Sequence, residues 1–223
     1  MVKDSIDVRL VYSKTGRGKF ISHLDLMRTM TRAFNRGKIP IWHTQGFNPH
    51  PYIMFPLALS LGVESQCEIM DIRLTKEMDI DEVISIMNKQ LPESLALIKG
   101  FYPKDKHTAI SFATYEIKIK SELQPKELTE KFNEFLSQEK IEVEKKTKRK
   151  GISTLDIKPH VNILNIKSDD DFLIFTLKFP AGTTLNLNTS LLTDEFSKFI
   201  DAKFKRIEVK RLAILTANDE DFV

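Results

Sequence analysis

The chain has 223 residues, of which 41% are hydrophobic and 29% charged, and this suits a globular protein of one large domain or two small ones. No apolar run reaches the roughly 18 residues of a membrane span. The start, MVKDSIDVRLVYS, has acidic residues where a signal peptide would have an apolar core. We therefore expect a cytoplasmic protein without a membrane segment. The net charge of +3 is uneven, because residues 1–60 hold nine Lys or Arg against three Asp, which favours a polyanionic partner for this part.

The first predicted elements are a strand and a helix joined by a basic loop. Residues 6–13, IDVRLVYS, alternate in polarity and are rich in β-branched side chains, which indicates a strand. The loop KTGRGK follows, and we expect its two glycines to make it flexible. The helix is predicted to begin at Ser22 as N-cap, with Asp25 at the third helical position, and to end at Gly37.

This helix is predicted to be amphipathic. At about 100° per residue, five apolar side chains share one arc and three arginines share the opposite one. The apolar set is Leu26, Met27, Met30, Ala33 and Phe34, and the basic set is Arg28, Arg32 and Arg36. We therefore expect one face to pack on the core and a basic face to meet solvent.

After the helix, a polar stretch separates two apolar segments. HTQGFNPHP (43–51) contains two histidines, two amides, a glycine and two prolines. The apolar segments 39–43 and 52–60 on either side are interpreted as strands. Further strands are predicted at 67–74 and 95–101, with a helix at 79–91 between them.

The second half repeats this order of elements after a polar linker at 103–111. Its predicted helices are 124–138 and 188–200, and its predicted strands are 111–120, 141–145, 155–167, 172–179 and 204–215. The last two strands before the final helix are expected to pair around an SDDD turn.

The repeated order indicates an internal duplication. Each half resembles the ferredoxin-like β-α-β-β-α-β arrangement with one extra short strand. We predict an α+β fold of two tandem ferredoxin-like halves with mainly antiparallel sheets, one face of which could serve as a binding platform. The predicted boundaries are a first half at 1–102, the linker at 103–111, a second half at 112–216 and an acidic tail at 217–223.

The polar stretch 43–51 is consistent with a metal site, a catalytic site, a polynucleotide-binding loop or an ordered turn without chemistry. His43 and His50 are seven residues apart and lack the i, i+4 spacing of a helical zinc pair, so we predict no metal. A metal-independent ribonuclease could use either histidine to shuttle protons, and this alternative stays open. The chain has no GxSxG, GxxxxGK[ST] or HExxH motif, and we predict no cofactor.

Nucleic-acid binding accounts for more of these features than the other functions do. The planar fork of arginine suits phosphate oxygens, and aromatic and amide side chains in loops contact the bases of single-stranded RNA. The candidate RNA-binding residues of the first half are Arg17, Lys19, Arg28, Arg32, Arg36, His43, Gln45, Asn48 and His50. A second basic run, KKTKRK, adds Lys146, Lys148 and Arg149 in a hairpin-like position of the second half.

The segment FISHLDLMRTMTRAFNRGKIPIWHTQGFNPHPYIMFPLALSLGVES resembles the radical-SAM-linked protein family, whose biochemical role is uncharacterised. GISTLDIKPHVNIL resembles a later block of the same family, so the resemblance runs from near residue 6 to near residue 215. It implies a partner that is a radical-SAM protein with a cobalamin-binding domain, in an RNA- or ribosome-related setting. Because Cys67 is the single cysteine, the chain has no CxxxCxxC motif, and radical chemistry would belong to that partner.

Three functions remain open from the sequence. The first is a non-catalytic module that binds RNA or presents substrate for a radical-SAM enzyme. The second is a metal-independent endoribonuclease or RNA-modifying enzyme that uses His43 or His50. The third is a protein-interaction domain that docks the radical-SAM partner through YIMFPLALSLG without contacting RNA.

Overall fold

A computed structural model describes residues 5–147 and 151–222, which fold into two compact units. The first unit comprises the residues up to 110 together with those from 216 onward, and the second comprises 111–215. Within the described residues the chain forms four α-helices and ten β-strands. Their mainly antiparallel pairing confirms the predicted α+β class.

The first unit contains two helices and four strands. They are β1 (Ile6–Lys14), α1 (His23–Arg36), β2 (Ile53–Met54), β3 (Val63–Leu74), α2 (Ile80–Asn88) and β4 (Leu95–Phe101). β1 lies between β4 and β3, while β2 pairs with β3, and all three pairings are antiparallel. Both predicted helices and the strands at the start, middle and end of this unit are confirmed.

Both helices of the first unit pack on one face of the sheet. Leu26, Met30 and Phe34 of α1 are almost fully buried, in one cluster with alternate residues of β1 such as Leu10 and Tyr12. Successive side chains of a strand point to opposite faces, so the odd-numbered residues of β1 lie on the other face of the sheet. The prediction that α1 is amphipathic and packs its apolar face on the core is therefore confirmed.

The ends of α1 follow the sequence signals, with one difference in mechanism. The Ser22 hydroxyl accepts a hydrogen bond of 3.1 Å from the backbone N–H of Asp25, as expected of an N-cap. Gly37 is the C-cap, but its φ of −72° is helical, and the left-handed residue is Lys38 at φ +54°. A Cβ at Gly37 would lie 2.8 Å from Ile86 Cγ2, so glycine allows close packing between the two helices.

The strands predicted at 39–43 and 52–60 were too long. Ile41 and His43 form only isolated bridges, and the second segment is paired at Ile53 and Met54 alone. Pro56 explains the early end, because a proline has no N–H to donate to a ladder.

The second unit contains two helices and six strands. They are β5 (Ile110–Lys120), α3 (Pro125–Leu136), β6 (Glu142–Thr147), β7 (Gly151–Asp156), β8 (Asn162–Ser168), β9 (Leu173–Pro180), α4 (Thr189–Phe199) and β10 (Arg206–Thr216). The strand order is β10-β5-β9-β8, and β6 and β7 form a separate two-stranded ribbon. An aromatic cluster fills the core, with the rings of Phe132 and Phe175 4.4 Å apart and those of Phe132 and Phe196 4.9 Å apart.

The single strand predicted at 155–167 was wrong, although its expected pairing with the strand after the SDDD turn is confirmed by β8 and β9. Residues 155 and 156 belong to β7, and a short turn separates them from β8. Pro159 cannot donate to a ladder, and Asp156 Oδ1 accepts the backbone N–H of Lys158 at 3.0 Å, which fixes the turn.

Candidate nucleic-acid interface

Residues 42–52 form a short hairpin, here called the polar hairpin. The N–H of Tyr52 donates to the carbonyl of Trp42, and the N–H of Thr44 donates to the carbonyl of His50, both at 2.8 Å. His43 and Pro51 form a bridge between these two bonds. The polar stretch is therefore an ordered structure, with its base on β3 and its tip at 45–49.

The base of the polar hairpin is clamped onto β3 by Arg73. The guanidinium carbon lies 4.7 Å from the ring centroid of Tyr52 and 5.4 Å from that of Trp42. Asp7 on β1 accepts two hydrogen bonds from the same guanidinium, at 2.6 and 3.2 Å. These bonds raise the pKa of Arg73 above its usual value, and the cluster joins two strands and the hairpin.

The tip of the polar hairpin points its side chains into solvent. Phe47 is fully exposed, and the side chains of Gln45, Asn48 and His50 around it are exposed too. Gly46 has φ +143°, which other residues rarely adopt, so glycine allows the turn that leads into Phe47. A large apolar ring held in water on an ordered turn is a candidate contact for a ligand.

The two histidines of the hairpin have separate hydrogen-bond partners. Nδ1 of His43 lies 3.2 Å from the carbonyl of Ile41. Nδ1 of His50 lies 3.0 Å from Thr44 Oγ1 and 3.1 Å from the carbonyl of Asn48. In the part of the chain that the structure describes, no group of three or more His, Cys, Asp or Glu side chains is arranged to hold a metal ion.

The second group of predicted residues lies in residues 15–20, here called the basic turn. We expected a flexible loop here, but the structure shows an ordered one. Residues 16–20 form a short 3-10 helix. The Thr15 N–H donates to the carbonyl of Ser94 at 3.0 Å, and a Cβ on Gly18 would lie 2.8 Å from that same oxygen. Glycine therefore serves close packing at this position. Lys19 pairs with Glu64 at 3.1 Å, and Arg17 is exposed.

The three arginines on the outer side of α1, here called the arginine face, are all exposed, but they differ in their partners. Arg28 pairs with Asp25 at 3.3 Å across one helical turn. Arg36 donates to the backbone carbonyl of Gln90 at 2.6 Å and to its side chain at 3.3 Å. Arg32 and Arg17 have no hydrogen bond or ion pair to any residue among 5–147 and 151–222.

The predicted residues of the first half are spread along the first unit and do not line one pocket. The basic turn is bonded to β3 at Glu64, whereas the polar hairpin is clamped to β3 at Arg73. Nine residues of strand separate these anchors, or roughly 30 Å at 3.3 Å per residue. In the chain, α1 links the two, and its arginine face spans roughly 12 Å from Arg28 to Arg36 at 1.5 Å per residue.

The basic run of the second half is only partly described. The strands β6 and β7 pair antiparallel from Glu142 and Asp156 to Thr147 and Gly151, which confirms the hairpin. Lys146 lies in β6 with no described side chain, and Lys148 and Arg149 lie outside the described residues.

Sequence reasoning missed two ion pairs on the face of the first sheet opposite the helices. Asp7 pairs with Arg73, and the buried Arg9 pairs with Asp71 at 2.7 and 2.9 Å, with the Phe222 ring 4.2 Å from its guanidinium. A signal was present, because β1 contains Asp-Val-Arg and β3 contains Asp-Ile-Arg. Antiparallel pairing of two such tripeptides places each arginine opposite an aspartate.

A buried lysine was also missed. Lys14 is 2% exposed, and its ammonium donates to the carbonyl of Ile21 at 2.7 Å, which holds the entry to α1. Burial lowers the pKa of Lys14, and the charge of the buried Glu68 opposes that shift. The alternation of β1 indicated which residues face inward but not that a lysine would be among them.

Comparisons with known proteins give a family without an assigned role. A family model described as "Uncharacterized protein conserved in bacteria (DUF2344)" matches residues 8–189. No curated protein matches the chain. The chain is similar to a solved structure described as "Crystal Structure of an Unknown Protein from Galdieria sulphuraria", with 9% identity over 93% of this chain and 99% of that chain, at a TM-score of 0.28.

Among the helices that the structure describes, none combines the length and the apolar character needed to cross a bilayer.

Proposed function

The chain belongs to the DUF2344 family of uncharacterized bacterial proteins, and from that premise we propose that it is a non-catalytic RNA-binding protein whose contact surface runs from the basic turn along the arginine face to the polar hairpin. Arginines bind phosphate oxygens without reading sequence, while exposed rings and amides contact unpaired bases. The proposed ligand is therefore RNA with a single-stranded segment.

The observation that carries this proposal is Phe47. Its ring is fully exposed at the tip of a hairpin whose base is clamped by Arg73, Trp42 and Tyr52. A base can stack on such a ring with little loss of side-chain entropy, because the hairpin is already ordered. Amide groups on Gln45 and Asn48 lie beside it in sequence and can bond base edges.

Electrostatics supports the same surface. Residues 14–38 carry seven Lys or Arg against the single acid Asp25, and Arg17 and Arg32 make no hydrogen bond or close ion pair with the described residues, although the charge of Arg32 helps to lower the pKa of Asp25. Their guanidinium groups can bind phosphate without first breaking an ion pair. Arg28, whose pair with Asp25 is exposed, can exchange that weak contact for a phosphate.

We interpret each unit as a ferredoxin-like half. In each, a strand is followed by a helix, further strands, a second helix and a last strand, and the last strand lies beside the first. The order of strands across each half is fourth, first, third, second when the ribbon β6–β7 is set aside. This interpretation concerns the fold alone.

The resemblance to the radical-SAM-linked family extends the proposal to a partner. In that role the chain would hold RNA substrate in the cytoplasm for a radical-SAM protein that carries the cobalamin and the iron–sulfur cluster. This extension rests on the sequence resemblance. Co-purification of the two proteins in high salt tests it, and the partner's absence from the purified material would contradict it.

The test of RNA binding is substitution of Phe47. Phe47→Ala removes an exposed ring, so the free energy of unfolding should not change, while the affinity for an oligouridylate of about 12 nucleotides should fall roughly tenfold. Tyr102→Ala is the matched control, because Tyr102 is also exposed but lies among Glu77, Asp79 and Asp81. Equal affinities of the wild type and Phe47→Ala would contradict the proposal.

A further inference from the structure

A second exposed ring lies at the opposite end of the first unit. Phe20 closes the basic turn, and its side chain is 65% exposed. The ammonium of Lys19 lies 5.6 Å from the centroid of this ring, and Arg17 is three residues before it. The basic turn therefore offers a ring on which a base can stack and nearby positive charge that can bind the phosphate backbone.

Three contacts hold the basic turn in place around Phe20. Gly62 donates to the carbonyl of Lys19 at 2.9 Å, and Lys19 pairs with Glu64. Gly18 packs so closely against Ser94 that a Cβ on Gly18 would lie 2.8 to 3.0 Å from three atoms of Ser94. Phe20 is thus presented from an ordered turn, as Phe47 is presented from an ordered hairpin.

We propose that Phe20 is a second base-stacking site, and that the ligand is a single-stranded RNA long enough to reach both Phe20 and Phe47. This inference rests on the proposed RNA-binding function and specifies its ligand. The anchors of the two rings on β3 are roughly 30 Å apart, which a strand stacked at about 3.4 Å per nucleotide spans with about nine nucleotides. The arginine face lies on the helix between them in the chain and supplies phosphate contacts.

The positive charge near Phe20 favours RNA over a protein as the ligand at this end of the first unit. Leu24 and Leu61 are also exposed near the basic turn and could form an apolar patch with Phe20. However, Arg17 and Lys19 precede Phe20 in the basic turn and Arg28 lies one helical turn after Leu24, and a phosphate chain matches this positive charge. A stacking site needs the flat ring, whereas an apolar protein contact needs only buried area, so Phe20→Leu distinguishes the two.

The test compares oligouridylates of about 4 and about 12 nucleotides on the full chain. The short probe can occupy either ring but not both, so Phe20→Ala or Phe47→Ala alone should weaken its binding about twofold, and the double variant should abolish it. The long probe needs both rings, so each single variant, and Phe20→Leu, should weaken its binding roughly tenfold. Leu61→Ala is the control and should bind both probes as the wild type does.

The outcomes separate the two proposals. A wild type that binds neither probe overturns both. Weakened binding by Phe47→Ala together with unchanged binding of the long probe by Phe20→Ala overturns the second site and leaves the proposed function standing. Weakened binding of the long probe by Phe20→Ala and Leu61→Ala, with full binding by Phe20→Leu, shows that the patch needs only apolar area and overturns the stacking site.

Discussion

At the scale of single residues, the arginines of the first unit differ in what they are already bonded to. Arg9 and Arg73 each hold an aspartate through two hydrogen bonds and serve the fold. Arg36 is bonded to Gln90 beyond α2. Arg17 and Arg32 have no such bonds to the described residues. The number of arginines in the sequence therefore overstates the charge available to a ligand.

The clamp at Arg73 can be tested with Trp42, the single tryptophan of the chain. Arg73→Met keeps the apolar stem but removes both hydrogen bonds to Asp7 and the cation beside the rings of Trp42 and Tyr52. We expect about 1 kcal/mol of lost stability, because the pair is partly exposed. Trp42 fluorescence should shift to the red as the hairpin base loosens, and oligouridylate affinity should fall.

Lys99→Met is the control for this substitution, since Lys99 is an exposed cation on β4 of the same unit. The clamp would be refuted by Arg73→Met fluorescence that matches the wild type in a protein whose circular dichroism shows an intact fold.

At the scale of elements, the local signals predicted more than the long-range ones. Helix ends were predicted well because caps such as Ser22 act on backbone groups within a few residues. Strand ends were predicted poorly where a proline interrupts an apolar run, as Pro56 does in 52–60 and Pro159 does in 155–167. The two glycines of the basic turn predicted flexibility, but Gly18 packs on Ser94, a contact that is distant in sequence.

The ribbon β6–β7 gives a prediction about pH. Asp156 Oδ1 accepts the backbone N–H groups of Ile141 and Lys158, both at 3.0 Å, and these bonds lower the pKa of Asp156 below its usual value. A depressed folded-state pKa contributes stability that is present above the unfolded-state value and is lost as the pH falls through the folded-state value. The free energy of unfolding should therefore fall as the pH drops below about 4.

Asp156→Asn removes the titrating group, so its free energy of unfolding should depend less on pH in that range than that of the wild type. Asp170→Asn, at an exposed carboxylate of the SDDD turn, is the control. Denaturant titrations at several pH values measure the difference, and parallel pH profiles for the wild type and Asp156→Asn would show that these hydrogen bonds do not stabilise the ribbon.

At the scale of the whole molecule, about half of the candidate interface could be predicted from the sequence. The basic helix face and the exposed hairpin tip follow from periodicity and from the polar residues at 43–50. What holds them in place, the clamp at Arg73 and the packing of Gly18, depends on contacts across more than 20 residues. Periodicity carries no information about such contacts, so the separation of the two ends could not be predicted.

The most direct measurement of the central claim is the salt dependence of RNA binding. The logarithm of the affinity for an oligouridylate of about 12 nucleotides should fall linearly with the logarithm of the salt concentration. The double variant Arg17→Glu/Arg32→Glu should bind more weakly, with a slope smaller by about 1.4, because each lost phosphate contact on a single strand contributes about 0.7. Lys126→Glu/Lys203→Glu, with the same charge change in the second unit, should match the wild type. A wild type without measurable affinity, or a folded Arg17→Glu/Arg32→Glu variant with an unchanged affinity and slope, would contradict the account.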